Sequence, residues 1–212
     1  MKTLKRIISI YRRLFNPKRG LYKYKNYKEY KDTQIKGNKN KIDEVWVSKK
    51  NIRFLAKYIK KNIPSPEFGI CHGTRRGKEQ EWFMKYLPME VIGTEISPTA
   101  TEFPNTIQWD FHDVKKEWIS NVDFIYSNSF DHSYKPRECL DTWMSCIKKK
   151  GFCILEWTNG HVEYTKLDPF GGSFKDYKKL IKKKYNLKDI LKSPNNRFYK
   201  LKKTYFFIVS HK

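Results

Sequence analysis

A glycine turn and an acidic residue are spaced in this chain as in units that bind nucleotides. A short apolar run ends at Gly73, and a second apolar run ends on Glu95 about 22 residues later. Glycine lets the backbone approach a ligand closely, and the helix that it opens offers free N–H groups. Glu95, at the carboxyl end of a predicted strand, can accept hydrogen bonds from both hydroxyls of a ribose. A third run ends on a further acid, Asp110.

Each of these residues also has a simpler structural interpretation. The glycines follow the spacing GxxxGxxxG and not GxGxxG, which suits a plain structural turn as well as a binding loop. Glu95 could be an acid on a surface turn, and Asp110 could cap a helix.

A fourth apolar run, VDFIYS, ends in the polar segment SNSFDHSYKP. Its Asp131 and His132 have the side chains that proton transfer needs. An imidazole titrates near neutral pH, so His132 suits the removal of a hydroxyl proton, and Asp131 could orient it or bind polar groups of a substrate. The alternative is a structural His132 that caps the next helix. Glu156 and His161, after the next apolar run, are secondary candidates.

Alternating strands and helices would have to position these residues. Apolar runs predict strands at residues 68–72, 91–95, 106–109, 122–127 and 151–157, with helices at 48–63, 78–86 and 137–148 between or before them. Strands that alternate with helices indicate a parallel, doubly wound sheet, in which ligands bind beyond the carboxyl ends of the strands. A helix at 174–185 and a terminal hairpin of residues 198–201 with 204–210 complete the chain.

The ordered series of glycine turn, acid, acid and polar strand end resembles the class I S-adenosylmethionine-dependent methyltransferases. The resemblance covers about residues 63–157. The usual DxGxGxG motif is GICHGTRRG here, so that Arg75 stands where a glycine is common, and the acid Glu67 precedes Gly69. The resemblance implies an α/β fold with a doubly wound, mostly parallel seven-stranded sheet and an antiparallel C-terminal hairpin. A basic helical N-terminal extension is predicted in addition, from the amphipathic pattern of the first residues.

S-adenosylmethionine is the cofactor that the resemblance implies. Its methionine part would be wrapped by His72, Gly73 and Thr74, with Arg75 or Arg76 on the carboxylate. Glu95 would bind the ribose, Ile96 would press on the adenine, and Asp110 and Phe111 would take the adenine amino group and ring edge. Ser127 and Ser129 would face the cofactor, whereas Phe130, Asp131 and His132 would face the substrate.

A small molecule or a saccharide, accepting the methyl group on a hydroxyl, is the substrate that the resemblance of SNSFDH favours. One alternative is an RNA methyltransferase recruited by the basic N-terminal region. Another is a non-catalytic protein that binds nucleic acid or other anions on the same fold, which Arg75 in the glycine turn would suit. The acids are not clustered as in a divalent metal site, so no metal is predicted, and Asp131, Glu156 and Asn159 are the residues that an alternative metal site would use.

The net charge of +23 indicates attraction to polyanions. Lys far outnumbers Arg, and Asn, Ile and Tyr are also plentiful, so a general compositional bias explains the charge equally well. Residues 1–46 are predicted to form a basic extension, with an amphipathic helix at 1–19 and a polar, Tyr-rich arm at 21–41. The helix could bind a membrane or nucleic acid, or pack on its own domain. Residues 47–212 are predicted to form the Rossmann-like domain.

The four cysteines are scattered without a CxxC pair, which argues against zinc and disulfide frameworks and favours the cytoplasm. The sequence has neither a signal-peptide pattern nor an apolar run long enough to span a membrane.

Overall fold

The computed structural model describes residues 17–194 and 203–212, which are built around one large sheet. The strands are β1 (Gly20–Leu21), β2 (Phe68–His72), β3 (Glu90–Glu95), β4 (Thr106–Gln108), β5 (Val122–Ser127), β6 (Ile147–Thr158), β7 (Phe170–Gly171), β8 (Asn186–Lys192) and β9 (Thr204–Ser210). The helices are α1 (Tyr27–Asn40), α2 (Lys49–Asn62), α3 (Lys78–Tyr86), α4 (Pro136–Cys146) and α5 (Phe174–Lys182).

Seven of these strands form one sheet in the order β4-β3-β2-β5-β6-β9-β8. The neighbours from β4 to β6 are parallel, and β9 is antiparallel to both β6 and β8. The sheet confirms the predicted doubly wound fold with its antiparallel C-terminal hairpin.

Both faces of the sheet are covered, which explains the uninterrupted apolar strand VDFIYS. All six residues of β5 are buried, as expected of a central parallel strand. On one face, Ile52 and Ile59 of α2 and Phe83 of α3 pack with Phe124 of β5. On the other face, α4 and α5 contribute a second core cluster that includes Trp143.

The prediction of a polar arm at residues 21–41 is wrong for most of that segment. Residues 27–40 form α1, whose first turn is capped by the side chain of Asn26. The buried face of α1 consists of Tyr30, Gln34 and Asn38, spaced by four residues. Because two of these side chains are polar, the helix lacks the apolar periodicity that would have revealed it.

The chain termini differ in part from the predictions. Residues 1–16 of the predicted N-terminal helix lie outside the described residues, as do residues 198–201 of the predicted hairpin. In the C-terminal hairpin, β9 pairs with β8 at residues 186–192, which is an earlier segment than the predicted one. The division into an extension at 1–46 and a domain at 47–212 stays a prediction. Within the described part of the chain, no helix has the length and apolar character that a membrane span requires.

Candidate functional site

The carboxyl ends of β2, β5 and β6 face a cavity of about 480 Å³. Polar side chains line much of it. They include Ser48, Asn51, Arg75, Glu79, Asn128, Ser129, Asp131, His132, Glu156, His161 and Asp168. A narrow slot of about 60 Å³ adjoins it and shares Gly73, Arg75, Ser129 and His132 with it. Ligands of open α/β sheets bind at this edge, so the two spaces are the candidate site.

The turn after β2 requires glycine at position 73. Gly73 has φ +74°, and a Cβ added there would lie 2.8 Å from Cβ of Ser129. The backbone N–H groups of Gly73 and Thr74 both donate to the carbonyl oxygen of Thr94, at 2.9 and 3.1 Å. The turn is therefore fixed to β3 and brings its backbone next to the strand end at β5.

Arg75, which replaces the common glycine, lies between the cavity and the slot. Its φ of +45° keeps the left-handed conformation that a glycine would adopt there. Its backbone N–H donates to Oε2 of Glu95 at 3.3 Å, and its Nη1 donates to the carbonyl oxygen of Glu44 at 3.1 Å. Burial lowers the pKa of the guanidinium. The side chain of Arg75 thus extends toward the segment before α2.

Glu95 ends β3 and lines the slot. The side chain is only 7% exposed, and its Oε1 accepts a hydrogen bond from the backbone N–H of Ser97 at 2.9 Å. Burial raises the pKa of this carboxyl above its ordinary value, although the two backbone hydrogen bonds act to lower it. Glu95 is therefore held in one orientation at the mouth of the slot.

The residues that were predicted to contact an adenine form the remaining walls of the slot, together with residues of α1. Ile96, Asp110 and Phe111 line it together with Tyr30 and with other residues of α1. Oδ2 of Asp110 accepts a hydrogen bond from the hydroxyl of Tyr27 at 2.8 Å, and Oδ1 lies 2.7 Å from Nδ1 of His112. Burial acts to raise the pKa of Asp110, but the hydrogen bonds, above all that of His112, outweigh it and leave the pKa below its usual value.

Two of the predicted cofactor residues have side chains that lie behind the site. The ring of His72 stacks on Trp143 with centroids 4.6 Å apart, and Nδ1 lies 2.8 Å from Oγ1 of Thr94. Burial lowers the pKa of His72 to about 3, so the ring is neutral. The hydroxyl of Ser127 donates to the carbonyl oxygen of His72 at 2.9 Å. These side chains hold β2 and β5 in place, and neither is among the residues that line the cavity or the slot.

Asp131 and His132, on the short 3-10 helix after β5, both line the cavity. Oδ2 of Asp131 lies 2.9 Å from Nδ1 of His161. Burial acts to raise the pKa of Asp131, but the hydrogen bond with His161 and the nearby His132 bring it below the ordinary value. His132 has Nδ1 at 2.8 Å from Oε1 of Gln34 and Nε2 at 3.4 Å from Oδ1 of Asp168.

Asp131, His132 and Asp168 bring potential metal-ligand atoms within 4.8 Å of one another. Each of the three side chains already has a protein partner in the described structure. We therefore interpret the group as a network of hydrogen bonds and ion pairs.

Glu79, in the first turn of α3, lines the cavity and was not identified from the sequence. Burial raises its pKa to about 8, and the charge of Glu156 contributes to the rise, whereas that of Arg75 acts to lower it. Glu156, near the end of β6, lines the same cavity, and its Oε2 accepts a hydrogen bond of 2.6 Å from the hydroxyl of Tyr126. Burial raises the pKa of Glu156 to about 7.

The overall fold is similar to that of solved methyltransferase structures. The 1,6-didemethyltoxoflavin-N1-methyltransferase of Burkholderia thailandensis is similar over 90% of this chain and 93% of its own, with a TM-score of 0.67 and 10% identity. The geranyl diphosphate C-methyltransferase of Streptomyces coelicolor A3(2) is similar over 86% and 98%, with a TM-score of 0.64 and 8% identity. The plantazolicin methyltransferase BpumL is similar over 87% of this chain and 97% of its own, with a TM-score of 0.60 and 12% identity. The chain has the class I methyltransferase fold.

S-adenosylhomocysteine is bound in each of these three methyltransferase structures. At 12% identity or less, the similarity concerns the fold. No family model matches the sequence, and no curated protein matches it either.

Proposed function

We propose that the chain is an S-adenosylmethionine-dependent methyltransferase that acts on a small polar molecule, such as a saccharide. The observation that carries the proposal is Glu95, which ends β3 beside the Gly73 turn and faces a slot that Asp110 and Phe111 also line. On the class I methyltransferase fold, this is the edge at which a nucleoside would bind.

The residues of the site suit the parts of the proposed cofactor. The carboxylate of Glu95 can accept hydrogen bonds from two ribose hydroxyls. Ile96 and Phe111 offer apolar contact to an adenine, and Asp110 offers an acceptor for its amino group. The backbone at Gly73 and Thr74, with the nearby Ser129, lies where the two spaces meet and would contact the amino-acid part. When bound, the cofactor supplies a methyl group that a sulfonium activates.

A small acceptor is favoured over RNA by the chemistry of the cavity. Six carboxyl groups, among them those of Asp131 and Asp168, outnumber the four lysine and arginine side chains that line it, and carboxylates repel the phosphates of a nucleic acid. Hydroxyl and amine groups, by contrast, donate hydrogen bonds to carboxylates.

The protein mainly has to align the acceptor, because methyl transfer is a direct displacement. For a hydroxyl acceptor, His132 is the proposed group that takes the proton, because Asp168, whose Oδ1 lies 3.4 Å from Nε2, would stabilise the imidazolium that forms. Asp131 is proposed to orient the acceptor, since its interaction with His161 keeps it ionised.

Calorimetry with S-adenosylhomocysteine tests the proposal. We expect binding to the full chain, weakened about 10- to 100-fold in Glu95→Gln, because a charged hydrogen-bond acceptor for a ribose is worth about 1.5–3 kcal/mol. Glu90→Gln is the matched control, because Glu90 is exposed at the opposite end of the same strand. If the unaltered chain does not bind S-adenosylhomocysteine, or if Glu95→Gln binds it as well as Glu90→Gln does, the proposal is wrong.

A further inference from the structure

Six carboxyl groups line the large cavity beside the basic side chains of Lys41, Arg75, Arg76 and Lys78, and four of these carboxyl groups come from different parts of the fold. They are Glu79 of α3, Asp131 after β5, Glu156 of β6 and Asp168 before β7. This concentration of acids occurs in a protein whose net charge is +23. An ordinary solvated acidic surface does not explain it, because Glu79 and Asp131 are 6% and 5% exposed.

Glu79 stands out because it is buried without a cation in direct contact. Among the described residues, no lysine or arginine forms an ion pair with it, although the charge of Arg75 is near enough to lower its pKa. Its carboxylate accepts a long hydrogen bond of 3.5 Å from the amide of Asn128 and another from its own backbone N–H. The cations nearest in sequence have other partners. Nη1 of Arg76 lies 3.7 Å from Asp43, and Nζ of Lys78 lies 2.5 Å from Glu81.

Glu156 is the second acid of this part of the cavity. It accepts a hydrogen bond from the buried hydroxyl of Tyr126, which fixes the carboxyl without neutralising its charge. A buried carboxylate without a paired cation is costly, and the cost disappears if a ligand supplies the positive charge. Burial raises the pKa of both carboxyls, to about 8 for Glu79 and about 7 for Glu156, so each can exchange a proton near neutral pH.

We propose that the methyl acceptor is an amine, bound as an ammonium in the part of the cavity that Glu79 and Glu156 line. The inference rests on the proposed methyltransferase function and specifies its substrate class. A neutral polyhydroxyl acceptor supplies no positive charge and leaves Glu79 mostly protonated at neutral pH, whereas an ammonium donates hydrogen bonds to both carboxyl groups and favours their ionised forms.

The same two carboxyls account for the proton balance. The bound ammonium passes one proton to a carboxylate and becomes a neutral amine. Its nitrogen lone pair then forms a bond to the methyl carbon of the donor, while the carbon–sulfur bond breaks and its electrons stay on sulfur. The products are a methylated ammonium, the neutral thioether and a carboxyl group that returns its proton to solvent through the open side of the cavity.

Matched pairs of amine and alcohol test the inference, with glucosamine against glucose and cyclohexylamine against cyclohexanol as probes. Binding is measured by ligand-observed NMR in the presence of saturating S-adenosylhomocysteine. We expect each amine to bind at least 10-fold more tightly than its alcohol. Glu79→Gln and Glu156→Gln should each reduce this preference, and the double variant should abolish it. Glu81→Gln, which alters an exposed acid of the same helix, should retain it.

The outcomes separate this inference from the function on which it rests. If S-adenosylhomocysteine itself does not bind, the methyltransferase proposal fails. If it binds but the alcohols bind as well as the amines, or no probe shows selectivity, only the amine inference fails. If Glu79→Gln weakens S-adenosylhomocysteine as strongly as it weakens the amines, Glu79 serves the amino group of the cofactor and the inference is also overturned.

Discussion

Replacing Glu79 by Gln should stabilise the folded protein, and more strongly as the pH rises. The carboxyl has a pKa of about 8 in the folded state against an ordinary value of 4.5. Between these values the folded protein keeps a proton that the unfolded chain has lost, so stability falls as the pH rises through this window. The glutamine side chain has no proton to lose and is free of this effect.

The size of the effect follows from the two proton affinities. Each tenfold difference in proton binding corresponds to about 1.4 kcal/mol. The ionisation of Glu79 therefore costs the folded state about 1 kcal/mol at pH 5 and about 4 kcal/mol at pH 8. We expect the difference in unfolding free energy between Glu79→Gln and the unaltered chain to grow by about 3 kcal/mol over that range.

Urea unfolding at pH 5 and pH 8, followed by tryptophan fluorescence, measures this difference. Any constant effect of the amide, such as a changed hydrogen bond with Asn128, cancels between the two pH values. Glu81→Gln controls for the loss of one negative charge, because Glu81 lies on the same helix with its side chain 54% exposed. An offset between Glu79→Gln and the unaltered chain that is the same at both pH values would refute the assignment of a raised pKa to Glu79.

Three further predictions concern the glycine turn, the buried His72 and the contact between Tyr27 and Asp110. Gly73→Ala should lower the unfolding free energy by about 1–2 kcal/mol, because alanine is strained at a left-handed φ, and it should weaken S-adenosylhomocysteine at least 10-fold by pushing the turn away from Ser129. Thermal melting and calorimetry measure the two effects, and unchanged affinity would count against a role of the turn in binding. His72 has a pKa of about 3 in the folded state, against an ordinary value of 6.5. Between these two pH values the unfolded chain binds a proton on His72 that the folded protein does not, so the free energy of unfolding falls as the pH drops below 6.5. NMR should show the His72 ring neutral at pH 5, and a titration near pH 6 would contradict this. Tyr27→Phe removes the hydroxyl bound to Asp110 and should tighten S-adenosylhomocysteine several-fold in calorimetry, since a net hydrogen bond of about 1 kcal/mol no longer has to be broken. Weaker binding would mean that the Tyr27 hydroxyl supports the ligand.

The sequence predicts the central sheet and one edge of the site because both follow from local patterns. Apolar runs bounded by turn residues locate β2, β3 and β5, and the helix predicted at 78–86 is found as Lys78–Tyr86. Parallel strands share one carboxyl edge, so the order of the strands along the chain is enough to predict that Gly73, Glu95 and Asp110 lie together. All three line the same slot.

The helix α1 and the role of Glu79 depend on partners that are distant in sequence. Gln34 donates to the carbonyl oxygen of Leu167 and pairs with His132, whereas Asn38 accepts from Thr99. A helix whose buried face is polar resembles a solvated segment until those partners are known. Glu79 likewise looks like an ordinary acid at the start of a helix, a place that favours negative charge. Its burial becomes visible only when β5 and β6 are folded beside it.

The position of α1 has a consequence for the strength of cofactor binding. The slot beside Glu95 measures about 60 Å³, whereas ligand pockets usually measure about 300–1,000 Å³. The slot is therefore smaller than a site for the proposed adenosyl group, and α1, which lines it with Tyr30, Gln34 and Asn38, is the wall that would have to move outward. Moving α1 outward would cost free energy, and this cost would lower the observed affinity for the methyl donor below its intrinsic value. Substitutions on the outer surface of α1, far from any ligand, would then change that affinity by changing the free energy with which the helix packs on the rest of the fold.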